Sequence, residues 1–169
     1  PWALLACLIH EAGHTAAICL LGGRVGAFRL SIIGAEIVPA RARLFSYPEE
    51  LLITAAGPLV SIGAATLFAY AASHFHSEGA FLFAGLNLVA GVFNLIPAGP
   101  LDGGRLLKLI LLQVCSLDRA EQIGRLVTTL FASALLMTGV WHMKQLGGNI
   151  TLILTALWRL AGMRGNRGN

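Results

Sequence analysis

The sequence predicts an all-α polytopic membrane protein of about five transmembrane helices, with a short β-hairpin after the first of them. Three observations carry that expectation. Of 169 residues, 56% are hydrophobic and only 12% charged, and the mean hydropathy is +0.75, whereas about a quarter of the residues in a soluble domain are charged. Apolar runs near the length of a span, about 20 residues, recur along the chain and leave too little sequence for a separate soluble domain. The net charge of +4 comes from basic residues dispersed at the ends of those runs, as membrane topology requires and nucleic-acid binding does not. Residues 1–169 are therefore read as a single membrane-embedded domain in contact with the lipid bilayer. Cys7, Cys19 and Cys115 sit singly in apolar runs with no C-x-x-C spacing and read as small hydrophobes.

The first run, Pro1 to Leu21, is apolar except for His10, Glu11 and His14. Ionisable groups in the middle of a hydrocarbon-length helix cost several kcal/mol unless they find partners, so they are functional candidates by default. On a helix His10 and His14 share one face, about 6 Å apart along the axis, and both imidazoles can reach a single ion. Glu11 points beside that ion, where a carboxylate can take a proton from a metal-bound water. Ala12, Gly13, Ala16 and Ala17 let a second helix approach closely. A tetrahedral zinc site needs a third protein ligand from elsewhere in the chain and an open fourth position.

Gly22-Gly23 end this helix. Arg24 to Ala40 alternates with period two up to Ile33, and Gly34-Ala35 is read as the turn into a second strand, Glu36 to Val38, giving a hairpin at the membrane surface whose edge could pair with an unwound substrate segment. Ser46 and Glu49 have capping-box spacing, with Pro48 in the first turn. They open a second span to about His74, in which Ala55-Ala56-Gly57-Pro58 and Ser61 make a smooth face that packs on the first helix and Pro58 is a candidate kink. His74, His76 and Glu78 read as a solvated turn rather than a metal site.

A third run, Ala80 to Ile96, leads into Asn94-Leu95-Ile96-Pro97-Ala98-Gly99-Pro100-Leu101-Asp102-Gly103-Gly104-Arg105. Its prolines and glycines cannot continue a helix, yet Leu106 to Val114 is helical again. Irregular backbone within a membrane is tolerated only where it is buried in protein or lines a watery cavity, and Asp102 sits in that break. Asp118 and Glu121 have the spacing to cap the next helix, Gly124 to Met143 is a further span, Lys144 to Gly148 turns, and Ile150 to Met163 is a short last span.

If the first helix ends on the cytoplasmic side, all of the 12 Lys and Arg residues except Lys144 fall on that side, the bias the positive-inside rule demands. The loop after the metal motif and the C-terminus are then cytoplasmic. His10 lies about 16 Å in from Leu21 at 1.5 Å per residue, close to mid-membrane. The chain starts inside an apolar helix on the outer side, which predicts an N-terminally truncated fragment with one further span upstream.

His10-Glu11-Ala12-Gly13-His14 within a span, joined to Asn94 and to Leu101-Asp102-Gly103-Gly104 downstream, resembles the site-2 protease family of intramembrane zinc metalloproteases. The spacing from Asn94 to Asp102 and the absence of an inserted PDZ domain are most similar to its compact bacterial branch, which includes the sporulation sigma-factor-processing proteases. The resemblance covers roughly Leu8 to Arg105. It implies one zinc ion held by His10, His14 and Asp102, with Glu11 as general base, Asn94 as an amide that steadies a substrate carbonyl, and Ala56-Gly57-Pro58 as a packing motif. It further implies a bacterial cell-membrane hydrolase acting on a membrane-spanning or membrane-associated protein. The sequence departs from the family in having Ser61 where the motif after Pro58 ends in asparagine, and in holding neither the first span nor the nucleotide-sensing domain of some members, so no regulatory partner is assigned. A membrane metal-ion transporter and a non-catalytic scaffold are the alternatives. A transporter needs further exchangeable ligands along a polar path, of which the spans after Asp102 carry almost none, His142 standing near a span end, and a scaffold has no use for Glu11.

Overall fold

The computed structural model describes residues 1–31, 34–39 and 44–146. In chain order it contains α1 (Trp2–Leu20), β1 (Val25–Ser31), β2 (Gly34–Pro39), α2 (Tyr47–Phe75), α3 (Glu78–Asn94), α4 (Asp102–Leu111) and α5 (Leu117–Leu146). Among the described residues α1, α2 and the Leu117–Trp141 part of α5 are long and apolar enough to cross a membrane, and α3 is a shorter apolar helix. The expected count of about five is thus three on this criterion, and the predicted last span, Ile150 to Met163, lies outside the described residues.

α1 stops where glycine permits it to. Gly22 takes φ 79°, its N–H donates to the Cys19 carbonyl at 3.0 Å, and the Gly23 N–H reaches back to the Ile18 carbonyl at 2.8 Å. This is the Schellman arrangement, which satisfies carbonyls that a helix end leaves orphaned. β1 and β2 then pair antiparallel, with Leu30 opposite Ala35 and Ser31 opposite Gly34. Gly34 and Ala35, read from the sequence as the turn, are therefore paired strand positions, and β2 is longer than Glu36 to Val38.

The capping box at Ser46 and Glu49 forms: the Ser46 N–H donates to Glu49 Oε2 at 2.8 Å. α2 runs unbroken through Pro58. It packs most extensively on α3 and then on α1. The α1 contact is close because small residues face each other, and a Cβ added at Gly13 would lie 2.7 Å from the Ala56 carbonyl oxygen and 3.0 Å from Gly57 Cα. At the other end of α1, Trp2 meets Phe83 of α3 at 5.6 Å between ring centroids, and Phe83 meets Phe68 of α2 edge-on at 4.7 Å.

Among the described residues the most deeply buried part of this packing is made of small and partly polar side chains. The largest fully buried side chains are Asn87, Thr54, Pro58 and Ser61, while Leu20, Leu67 and Met137 face outward at 86%, 64% and 73% exposure. A soluble domain shows the reverse. An apolar exterior around helices held by close backbone approach and internal hydrogen bonds is what a lipid solvent selects, because apolar side chains gain nothing there by leaving the outer surface.

α3 ends at Asn94, two residues before the predicted Ile96, because Pro97 disfavours the helical conformation at the residue preceding it. The connection folds tightly: the Ala98 N–H donates to the Ile96 carbonyl at 2.7 Å, Gly99 takes φ 46°, and Ala98 and Leu101 are buried. α4 then starts hard against the end of α3. A Cβ at Gly103 would overlap the Leu95 carbonyl and lie 2.5 Å from the Ile96 oxygen, and one at Gly104 would lie 2.5 Å from the Gly99 oxygen. The Gly-Gly pair is what lets Asp102 sit at the first position of a helix packed on this turn.

α5 begins at Leu117, one residue before the predicted cap at Asp118, and continues past Lys144, where the sequence predicts a turn. The Ala120 N–H donates to the Ser116 carbonyl at 3.0 Å, so Asp118 lies inside the first turn and not at a cap, where its negative charge favours the helix N-terminus. Glu121 pairs with Lys108 of α4 at 3.1 Å. The Thr128 hydroxyl accepts the Gly99 N–H at 2.9 Å and donates to the Gly124 carbonyl at 2.7 Å, which ties α5 to the break. Replacing Thr128 with the isosteric valine is expected to cost about 0.5–1.5 kcal/mol of stability. Denaturant unfolding in detergent checks this, and an unchanged midpoint would mean that the tether contributes nothing.

Candidate metal centre

Among the described residues, the group of three or more His, Cys, Asp or Glu residues able to share an ion is His10, His14 and Asp102. His10 and His14 come from adjacent turns of one face of α1, and Asp102 is delivered from the first turn of α4. His10 Nε2 lies 3.0 Å from Asp102 Oδ2, His14 Nε2 lies 3.3 Å from the same oxygen, and the two Nε2 atoms are 3.3 Å apart. Ligands bonded to zinc at roughly 2.0–2.1 Å and set at the tetrahedral angle stand about 3.3 Å apart. The three atoms therefore have the mutual spacing that three ligands of a tetrahedral zinc ion would need. Two neutral imidazoles and a carboxylate are also a known donor set for catalytic zinc, and a triad leaves the fourth position for water or substrate.

Each imidazole is held from behind by α2. His14 Nδ1 donates to the Ile53 carbonyl at 2.8 Å, and His10 Nδ1 is 3.1 Å from Ser61 Oγ. A backbone carbonyl only accepts, so the His14 proton must be on Nδ1 and the Nε2 lone pair is free to face the triad. Gly57 makes this approach possible: a Cβ there would lie 2.7 Å from His14 Cδ2 and closer still to Nε2 and Cε1. The sequence reading treated Ala56-Gly57-Pro58 as a packing motif. In the structure Gly57 makes room for a triad imidazole.

Glu11 is half-buried and within electrostatic reach of His14, His10 and Asp102, while its backbone carbonyl accepts the Thr15 hydroxyl at 3.0 Å. Asn94 ends α3, and its Nδ2 donates to the Ala90 carbonyl at 3.0 Å. A carboxamide nitrogen carries two hydrogens, so one remains after that bond. Ser61, the Ile53 carbonyl and Gly57 were not singled out as site residues from the sequence. The signal for two of them was present, since a glycine and a serine four apart on a helix lie on one face.

Residues 69–138 match the model of peptidase family M50. The chain is 33% identical over 170 residues to a zinc metalloprotease of Methanocaldococcus jannaschii, a match covering 93% of this chain and 47% of that protein. It is 30% identical over 142 residues to stage IV sporulation protein FB of Bacillus subtilis, covering 82% of this chain and 48% of that protein. It thus spans about half the length of these two relatives. Among solved structures, the site-2 protease from Methanocaldococcus jannaschii superposes with a TM-score of 0.73 at 28% identity, covering 97% of this chain and 74% of that one. An H-E-x-x-H helix meeting an L-D-G-G turn inside a bundle with an apolar exterior agrees with these matches, and over the matched residues the chain is similar to the M50 family of site-2 metalloproteases.

Proposed function

We propose that this chain is the catalytic core of an intramembrane zinc metalloprotease, which hydrolyses a peptide bond in or near a transmembrane or membrane-associated segment of a substrate protein. The observation that carries the reading is the triangle of His10 Nε2, His14 Nε2 and Asp102 Oδ2, with no side longer than 3.3 Å. His10, His14 and Asp102 would hold one zinc ion. Zinc in such a site polarises a carbonyl and lowers the pKa of its bound water to about 7.

The chain's own residues do the rest. Glu11 collects the proton of the attacking water and passes it to the departing amine, acting first as base and then as acid. The free N–H of Asn94 donates to the oxygen that gains charge as the carbonyl is attacked. Asp102, on the first turn of α4, is held at a helix N-terminus that favours its negative charge. Because a helical substrate has its carbonyls hydrogen-bonded, the segment must unwind before attack, and helix-breaking residues near the scissile bond belong to the expected substrate class. We further propose that the loop after α1 is cytoplasmic, following the bias of the basic residues.

Reconstituted in liposomes with a panel of single-span substrates, the protein is expected to cleave at least one. A chelator should stop that cleavage and added zinc should restore it. Cleavage that continues in chelator, or purified protein that takes up no zinc, would rule the reading out.

A further inference from the structure

The two imidazoles of the triad are oriented by unlike partners. His14 faces a backbone carbonyl, which leaves its proton one place to be. His10 faces only the Ser61 hydroxyl, at 3.1 Å, and a hydroxyl can donate as well as accept. Ser61 is 0% exposed and His10 5% exposed, so bulk water does not compete for this contact. The serine is also boxed in. At the same level α3 presses on α2, where a Cβ at Gly91 would lie 3.2 Å from Ser61 Cβ and 2.9 Å from the Pro58 oxygen. A short hydroxyl side chain can fill this position without moving α3.

We propose that Ser61 is a positioning residue of the metal centre. Its hydroxyl accepts the His10 Nδ1–H and so selects the tautomer whose Nε2 lone pair points at His14 and Asp102. An Nε2 that binds a cation cannot carry a proton, so the ring proton must sit on Nδ1, and Ser61 Oγ is the acceptor the structure offers it. Without the hydroxyl, a buried N–H is stranded, and the ring gains freedom to turn or to take the other tautomer. Loss of such an outer partner lowers metal affinity by about 10–100-fold in zinc sites. The inference rests on the zinc reading above, and the test separates the two.

Ser61→Ala removes one oxygen atom at a helical position that alanine suits, so the fold is expected to survive. Zinc affinity of wild type and Ser61→Ala is measured by competition with a chromogenic chelator. The thermal midpoint of each metal-free protein and the visible spectrum of each cobalt-loaded protein are recorded alongside. The expected result is an affinity about 10–100-fold weaker, an altered cobalt spectrum, and a metal-free midpoint unchanged. An affinity within twofold of wild type overturns the proposal. A fall in metal-free stability that accounts for the whole loss of affinity overturns it too, by assigning Ser61 to packing. Wild-type protein that binds no zinc overturns the metalloprotease reading and this inference with it.

Discussion

Glu11→Gln is expected to abolish peptide-bond cleavage while leaving zinc bound. Glutamine keeps the size and hydrogen-bonding reach of glutamate but cannot take up a proton at neutral pH, so the variant isolates proton transfer from everything else in the site. Positioned general acid–base groups contribute roughly 10²–10⁴-fold to rate, and Glu11 would serve in both directions of proton movement, which puts the expected loss at the upper end. Zinc should stay because the donor triangle consists of His10, His14 and Asp102. Single-turnover cleavage of a reconstituted substrate, beside metal content by mass spectrometry, gives both numbers. A variant that keeps more than about a tenth of the wild-type rate, against that 10²–10⁴-fold range, would remove Glu11 from the mechanism. Loss of zinc would instead make it a ligand.

Gly57→Ala should disable the centre from the outside. Two effects oppose each other here. Alanine is the better helix former by about 0.8–1.0 kcal/mol, so on α2 alone the change would stabilise. Against that, the new methyl would lie 2.7 Å from His14 Cδ2 and nearer to the atoms beyond, and an imidazole cannot shrink. Overpacking a tight interior costs about 1–3 kcal/mol. α1 has little freedom to step aside, since Gly13 already rests against Ala56 and Gly57. Packing therefore outweighs propensity. The ring must leave the Ile53 carbonyl, and its Nε2 leaves the triangle. We expect zinc affinity to fall by at least the 100-fold or so that loss of an outer partner can cause, together with a lower thermal midpoint. An alanine variant that binds zinc normally and melts higher would show that the close contact is relieved at no cost.

These two residues mark different degrees of legibility. Glu11 stands out in the sequence because the motif that contains it is a spacing within one helix, which the chain itself sets. Gly57 was read only as a small residue, because its reason for being glycine is the ring of His14 on another helix. The helix boundaries divide in the same way. Ser46 and Glu49 announced the start of α2 through a local capping box. The start of α5 at Leu117 falls beside the predicted cap at Asp118, whereas its continuation to Leu146, through the turn expected from Lys144, is not announced by any local signal.

From the sequence alone came the membrane character, the paired imidazoles with their adjacent carboxylate, and the proline-glycine interruption that carries Asp102, since hydropathy, helical spacing and proline geometry are properties of neighbouring residues. Tertiary structure alone decided that Asp102, 92 residues from His10, brings an oxygen within 3.3 Å of both Nε2 atoms, and that Ser61 and the Ile53 carbonyl stand behind the rings. Those distances depend on how closely α1, α2 and α3 pack and on how tightly the turn before α4 folds. Small residues permit that closeness, but only the assembled bundle determines which atoms it brings together.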